Sequence, residues 1–360
     1  MKHTYFEHLS LINFRNLSEL SIDFKQGVNL IIGPNGSGKT SILESVSLLS
    51  PGRGLRNASF DDICKYEEET WEANFKLNSK LGLAQIIANF QKREKVRKIS
   101  YNGSKIASSE LTNFLNVIWV TPQMEGIFTA APSIRRKFFD RIAYNFNPDH
   151  ALKLYKYEHY IKERNKALAQ NGVSSNSSWL DVIEDKIAIE AIGIESARRD
   201  AIILMQESID SLKTEFPKAN IGLSRLFKEE NTGINPLDLY RKTLLNNRTK
   251  DFYAGRTTFG IHLSDFIVNH QYKARLARDC STGEQKALLI TIILSSIESV
   301  LKTTNFLPIL LLDELFVHLD AKRRSQLSDY IISTNLQTLI TATDIMGVDS
   351  LSLKSNIIEL

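Results

Sequence analysis

The stretch "VNLIIGPNGSGKTSILESVSLL", Val28 to Leu49, decides the fold. A mostly apolar run ends at Ile32, a glycine-rich turn follows, and Ile42, Leu43, Val46 and Leu49 then recur at helical spacing. Strand, turn and helix in that order are the context in which Gly33-Pro34-Asn35-Gly36-Ser37-Gly38-Lys39-Thr40, a match to G-x-x-x-x-G-K-[ST], cradles phosphate. The residue types suit that chemistry. Gly33, Gly36 and Gly38 let backbone N–H groups wrap phosphate oxygens at a helix N-terminus, Lys39 supplies a point charge, and Thr40 offers a hydroxyl to Mg2+. "SPGRG", with Pro51, Gly52 and Gly54, stops the helix.

A second run, "PILLLDELFVHLD" (Pro308 to Asp320), reads as a buried strand that delivers Asp313 and Glu314 at its carboxyl end. Beside a phosphate loop, Asp313 would hold Mg2+ directly or through water, and Glu314 would polarise the attacking water as the catalytic group. Two adjacent acids after such a run could merely cap the next helix, but the phosphate loop makes the pairing much more specific. A third stretch, "CSTGEQKALLITIIL" (Cys280 to Leu294), sets a polar turn ahead of an apolar run, so a helix is expected to begin near Glu284. Ser281 offers a hydroxyl, Gly283 admits a phosphate close to the backbone, and the helix presents its positive end.

With 360 residues, 42% hydrophobic and 24% charged, the chain can bury a real core in one large domain or two lobes. A formal net charge of +4 permits a nucleic-acid partner without requiring one. Cys64 and Cys280 lie far apart with no neighbours at metal-ligand spacing, so neither a disulfide framework nor a zinc site is expected, and the location reads as cytoplasmic. The first twenty residues lack a signal-type apolar segment and no later stretch reads as a membrane span, so no membrane role is expected.

Along the chain, residues 5 to 33 and 71 to 106 favour strands, with Asn102-Gly103 as a hairpin signal. Five of the seven residues from Lys92 to Lys98 are basic, which fits either a solvated turn or a phosphate-contacting edge. From Pro148 to about Leu212 the pattern is helical on both sides of "NGVSSNSS" (Asn171 to Ser178), the expected link of a helical hairpin.

The order of these parts, phosphate loop, long insertion, "STGEQ", aliphatic strand, Asp-Glu and "HLD", resembles the ABC-type ATPase head used by SMC proteins. "LSLINFRNLSEL", "APSIRRKFFDRI" (Ala131 to Ile142), "GRTTFGIHLSDF" (Gly255 to Phe266) and "STGEQKALL" are similar, in that order, to the RecF family of bacterial DNA replication and repair proteins. The resemblance implies an α/β fold, an ABC-type P-loop ATPase head with mixed sheets and a second, mainly helical lobe carrying a short helical-hairpin arm. The ATPase lobe would span 1–120 and 296–360, the helical lobe 121–295, and the arm about 148–215.

By the same resemblance, ATP and Mg2+ would draw two copies into a homodimer. Ser281, Gly283, Glu284 and Gln285 of each copy would close over the nucleotide of the other. Leu319 and Asp320 would form the D-loop, and Gln123 of "VTPQMEGIF" the Q-loop near the metal. The implied task is a weak, DNA-stimulated ATPase acting at single-strand gaps and single-/double-strand junctions in repair, recombination and the SOS response, with RecR and RecO as partners in recombinase loading. An ATPase subunit of a transporter or chromosome-organising complex is the alternative.

The family's Thr-Thr-x-Gly-Pro-His-Arg-Asp stretch reads Thr257-Thr258-Phe259-Gly260-Ile261-His262-Leu263-Ser264 here, which leaves the role of that segment open. Thr343 and Asp344 stand where relatives often carry His. Arg53 and Arg56 suit a phosphate, DNA or a solvated turn. Arg135 and Arg136 suit an exposed helix face or a ligand. Tyr155, Tyr157, Tyr160 and Trp179 suit helix packing better than base stacking.

Overall fold

Residues 4–79, 82–171, 177–224, 235–304, 306–344, 351 and 354–360 are described by the structure, a computed structural model. The chain opens with β1 (Tyr5–Phe14), β2 (Leu17–Asp23), β3 (Val28–Ile32) and α1 (Lys39–Ser47), and continues through β4 (Thr70–Ser79), β5 (Gly82–Gln91), β6 (Lys98–Tyr101), β7 (Ser104–Lys105), α2 (Ser108–Leu111) and β8 (Val117–Val120). Then come α3 (Pro132–Ala143), α4 (Asp149–Asn171), α5 (Ser177–Ser211), β9 (Ala219–Leu223), α6 (Pro236–Asn246), α7 (Arg248–Ala254), β10 (Phe266–His270) and β11 (Arg275–Leu276). Last are α8 (Thr282–Thr304), β12 (Ile309–Asp313), α9 (Ala321–Thr334), β13 (Thr338–Ala342) and β14 (Asn356–Glu359).

These elements form two compact units, one of residues 1–126, 208–218 and 282–360, the other of 127–207 and 219–281. The first contains two sheets. Antiparallel β2-β1-β4-β5-β6-β7 buries one face through Leu9 and Leu11, Trp71, Ala73, Phe75 and Leu77, and Ile86, Ala88 and Phe90, the alternation a one-sided sheet requires. Phe6 lies three residues before Leu9 because the β1–β4 register shifts between Phe6 and His8. At Asn102 and Gly103, φ is 47° and 80°, so the expected hairpin turn forms between β6 and β7.

The second sheet, β14-β3-β13-β12-β8, is parallel throughout. Its strands β8, β12 and β13 are buried at every position, as expected of parallel strands covered on both faces. Gln337 ties the two sheets together. Its Oε1 accepts from Phe6 N at 2.7 Å and its Nε2 donates to Phe6 O at 2.8 Å.

The expected division at 120/121 and 295/296 differs from this compaction. All of α8 belongs to the sheet-bearing unit, because it is buried almost without interruption from Ala287 to Ile297 and packs on β8 and the 122–126 turn. α8 also has the length and mean hydropathy, 1.5, of a membrane span, contrary to the sequence reading, but 72% of that window is buried in the protein. It is a core helix.

In the second unit, α4 and α5 carry the arm; the expected link at 172–176 lies outside the described residues. Tyr157, Ile183, Ile187, Ile194, Tyr240, Leu244 and Ile261 share one core cluster. Buried arginines knit the helices. Arg164 reaches Glu184 (2.9 Å) and Asp251 (2.7 Å), and Arg198 holds Asp140 with two hydrogen bonds of 2.7 and 2.8 Å. A three-stranded sheet, β11-β10-β9, completes the unit.

Candidate functional site

Parallel pairing places the chemistry at one edge. Ile32 pairs with Ala342 and Thr341 with Asp313, so the turn after β3 and the acids after β12 leave the sheet side by side, where open parallel sheets bind ligands. Gly33–Thr40 runs from β3 into α1. Gly38 caps that helix at φ 105°, and a Cβ there would come within 2.8 Å of Leu17, so only glycine fits. Lys39 is buried and its Nζ donates to the carbonyls of Gly33 (2.6 Å) and Pro34 (3.0 Å), which fixes its charge across the mouth of the loop. Ser37 Oγ is buried with no hydrogen-bond partner among the described residues, which fits a loop whose partner is a ligand oxygen.

Asp313 Oδ1 accepts from Thr40 Oγ1 at 3.0 Å and from Thr341 Oγ1 at 2.8 Å. Thr341 Oγ1 in turn accepts from Glu314 N at 3.0 Å. Two predicted residues, Thr40 and Asp313, therefore meet as a hydroxyl and a carboxylate, the hard-oxygen pair that suits Mg2+. Glu314 sits in left-handed backbone, φ 50°, and lines the cleft with the phosphate loop. Such strain in a non-glycine residue marks a position held for its side chain's direction. Thr341 is a residue the sequence reading missed; its signal was its place on "LITATD", one strand from the acids.

The cleft measures about 550 Å3. Its other wall comes from the β1–β2 turn, also missed although it lies in the quoted "INFRN". Asn16 Nδ2 donates to Gly36 O at 2.8 Å, and Ser41 Oγ donates to Asn16 Oδ1 at 3.1 Å, so one amide clamps both ends of the loop. Arg15 forks onto the fully buried carboxylate of Glu44, at 2.8 and 2.5 Å. Arg56 lines the cleft and approaches Glu44 at 3.7 Å, whereas Arg53 is exposed outside the lining. Cys64 also lines it; burial pushes its thiol up, outweighing the lowering pull of Lys92, so a thiolate nucleophile is not prepared there.

The residues predicted at 281–285, 319–320 and 123 are not among those lining that cleft. α8 begins at Thr282, two residues earlier than expected, so Gly283 and Glu284 are within its first turn and Gln285 is buried; Ser281 is exposed just before it. Asp320 caps α9 by accepting from Arg323 N at 2.9 Å, and Arg323 Nη1 donates to Gly283 O at 3.0 Å. This arginine, unforeseen from sequence, joins the Asp320 cap to the turn at Gly283, while Leu319 is buried. Gln123 lies in the turn after β8, exposed and outside the cleft lining, with Oε1 accepting from Thr121 Oγ1 at 3.4 Å. Thr343 and Asp344 are exposed beyond β13.

Several open readings resolve. Arg97 of the basic turn is structural: its guanidinium donates to Leu48 O at the end of α1 and lies 5.1 Å from the Phe60 ring, and burial lowers its pKa to about 10. Arg135 is no exposed face residue but a buried partner of Asp265, at 2.9 and 2.6 Å, and Arg136 donates to Ser264 O at 2.6 Å. Within the 255–266 segment, three polar side chains turn inward, Thr257 to Arg164, Thr258 to Asp251 and Ser264 to Arg198. Tyr157 is buried and Tyr160 packs on the same core, as expected, but Tyr155 (71% exposed) and Trp179 (51%) do not pack inside.

Residues 5–351 match the family described as the RecF/RecN/SMC N terminal domain. The chain is 46% identical over its full length, and that of the relative, to the DNA replication and repair protein RecF of Rickettsia bellii, and 45% identical, again over both full lengths, to that of Rickettsia prowazekii. Among solved structures, the recombination mediator protein RecF-ATPrS in the RecFOR pathway superposes with a TM-score of 0.83 at 24% identity, covering 96% of this chain and 94% of that one. An Smc head domain of Pyrococcus furiosus shares the fold more distantly, with a TM-score of 0.53 at 15% identity over 96% and 92%. With its mixed sheets and phosphate loop, the chain belongs to the RecF family of DNA replication and repair proteins, within the wider RecF/RecN/SMC group.

Proposed function

We propose that this protein is an ATP-dependent DNA-binding ATPase of replication and repair, in which nucleotide gates the pairing of two copies. The observation that carries it is the shared oxygen Asp313 Oδ1, which receives Thr40 and Thr341 directly behind the phosphate loop and thereby sets Glu314 at the cleft. The solved RecF relatives named for complexes with ATP and ATPrS support the same ligand.

In this reading, backbone N–H groups of Gly33–Thr40 and the Lys39 ammonium hold the β- and γ-phosphates. Thr40 and Asp313 would hold Mg2+, which when bound neutralises charge on the phosphate oxygens. Glu314 orients a water and takes its proton as the oxygen attacks the γ-phosphorus, and ADP and phosphate leave. Ser281, Gly283 and the first turn of α8 close on the γ-phosphate of a second copy, with Arg323 holding the Asp320 cap and Gly283 together as one face. Hydrolysis then loosens the pair and releases DNA. Gaps and single-/double-strand junctions as targets, RecR and RecO as partners, and a cytoplasmic, nucleoid-associated location belong to this proposal through the family.

Sedimentation and phosphate release, with and without gapped DNA, test it in wild type, Lys39→Met, Ser281→Arg and Glu314→Gln. ATP should dimerise wild type and Glu314→Gln, the latter with turnover reduced at least 100-fold, and should not dimerise the other two. A Ser281→Arg protein that still pairs on ATP would refute closure in trans, and indifference to DNA would refute the clamp.

A further inference from the structure

We propose that Tyr66 is the stacking platform for the nucleobase, so that the cleft binds a nucleoside triphosphate at two built ends rather than by its phosphates alone. The inference rests on the nucleotide reading above. Besides the phosphate loop, the cleft is lined by Arg56, Asp62, Cys64 and Tyr66. That ring is 86% exposed and, among the described residues, packs on no other aromatic ring. A large flat side chain left bare in the lining of a ligand cleft offers a π-face that contributes nothing to the core.

The backbone beneath it is built with unusual care. Lys65 and Glu68 close a tight turn, Glu68 N to Lys65 O at 3.0 Å, with Glu67 in left-handed backbone at φ 66°, so Tyr66 stands at its tip. The turn is pinned from behind. Lys65 N donates to Asn13 O at 2.9 Å, Arg15 N donates to Ile63 O at 2.7 Å, Phe14 and Cys64 form a β-bridge, and Arg15 Nη1 donates to Asp62 O at 2.6 Å. Asn13 and Arg15 are themselves left-handed, at φ 51° and 57°. Left-handed non-glycine residues thus stand in both of the turns that meet here, Asn13 and Arg15 at the β1–β2 turn and Glu67 beside Tyr66, a local cost that marks a shape held in place.

The same β1–β2 turn carries Asn16, which clamps Gly36 and Ser41. The Tyr66 turn and the phosphate loop are therefore tied to each other through the β1–β2 turn, Arg15 and Asn13 on one side and Asn16 on the other. Stacking accepts any base, so Tyr66 separates nucleotides from bare polyphosphates rather than one purine from another.

Titration calorimetry of the full chain with ATP and with inorganic tripolyphosphate, in wild type, Tyr66→Ala and Tyr66→Trp, tests this. Tyr66→Ala should weaken ATP about 10-fold while leaving tripolyphosphate within about twofold, and Tyr66→Trp should hold ATP as tightly as wild type. Unchanged ATP affinity in Tyr66→Ala, or equal weakening of both ligands, would overturn the platform. A wild type that binds tripolyphosphate but not ATP would overturn it too, while one that binds neither would bring down the nucleotide reading itself.

Discussion

At the residue scale, Thr341 does more than fill β13. Its hydroxyl donates to Asp313 and accepts from Glu314 N, so a single oxygen aligns the Asp313 carboxylate with the backbone of Glu314. Thr341→Val keeps the shape but strands a buried carboxylate oxygen and a backbone N–H. Chemical denaturation should register a loss of about 1–3 kcal/mol, and phosphate release should slow about 10-fold, with Thr341→Ser close to wild type on both. Unaltered turnover in Thr341→Val would show that the alignment is idle.

At the element scale, the 255–266 segment owes its shape to a directional chain of hydrogen bonds inside the second unit. Ile261 N donates to Tyr240 Oη, the Tyr240 and Tyr157 hydroxyls lie 3.1 Å apart, Tyr157 Oη lies 2.6 Å from His262 Nδ1, and His262 Nε2 donates to Thr257 O at 3.2 Å. Gly260, at φ 144°, is required where the chain passes this cluster, because a Cβ would sit 2.4 Å from the Tyr157 hydroxyl. With Nε2 donating, neutral Nδ1 accepts from Tyr157.

Burial lowers the His262 pKa below its ordinary value of 6.5, Arg136 and Arg164 add to that, and Thr257 O and Asp251 oppose it. As pH falls below 6.5 the unfolded chain takes up this proton first, so stability present at pH 7.5 is lost progressively toward pH 5.5. Asp140 acts elsewhere. Burial pushes it up, but Arg198 and His150 outweigh that and hold it below its ordinary 3.8, so its contribution is lost only in stronger acid. Urea midpoints at pH 7.5 and 5.5 should show a smaller difference in His262→Gln than in wild type; an identical difference would exclude His262 as the titrating group.

At the scale of the whole molecule, the sheet-bearing unit is assembled from three separate stretches of chain, and its cleft draws on the β1–β2 turn, the phosphate loop and the end of β12. Ligand bound there is bound only by folded protein. ATP with Mg2+ at 100 times its Kd should add about 2.7 kcal/mol to unfolding, seen as a rise in Tm of a few degrees that Lys39→Met abolishes. A Tm that ignores ATP in wild type would show that the folded chain does not bind it.

Much of this was legible in the chain because it is local. Gly33 to Thr40 reads as a phosphate loop from glycine spacing and flanking periodicity, and "PILLLDEL" from a buried run ending in acids. Asn16, Thr341, Arg323 and Tyr66 were not legible, because each acts on residues distant in sequence through one side chain on an otherwise ordinary strand, turn or helix. Arg135 misled for the same reason: an arginine opening a helix looks exposed until Asp265 is folded against it.

The sequence by itself determined the α/β class, the phosphate loop, the acids after the aliphatic strand and the helical arm, since periodicity and backbone geometry act over a few residues. Only the tertiary structure decided that α8 is core of the sheet-bearing unit, that Thr40 and Thr341 meet on one carboxylate oxygen, and that the β1–β2 turn forms the cleft wall. Those facts depend on strand order and register, which hydrophobic pattern leaves degenerate and which packing of the whole sheet fixes.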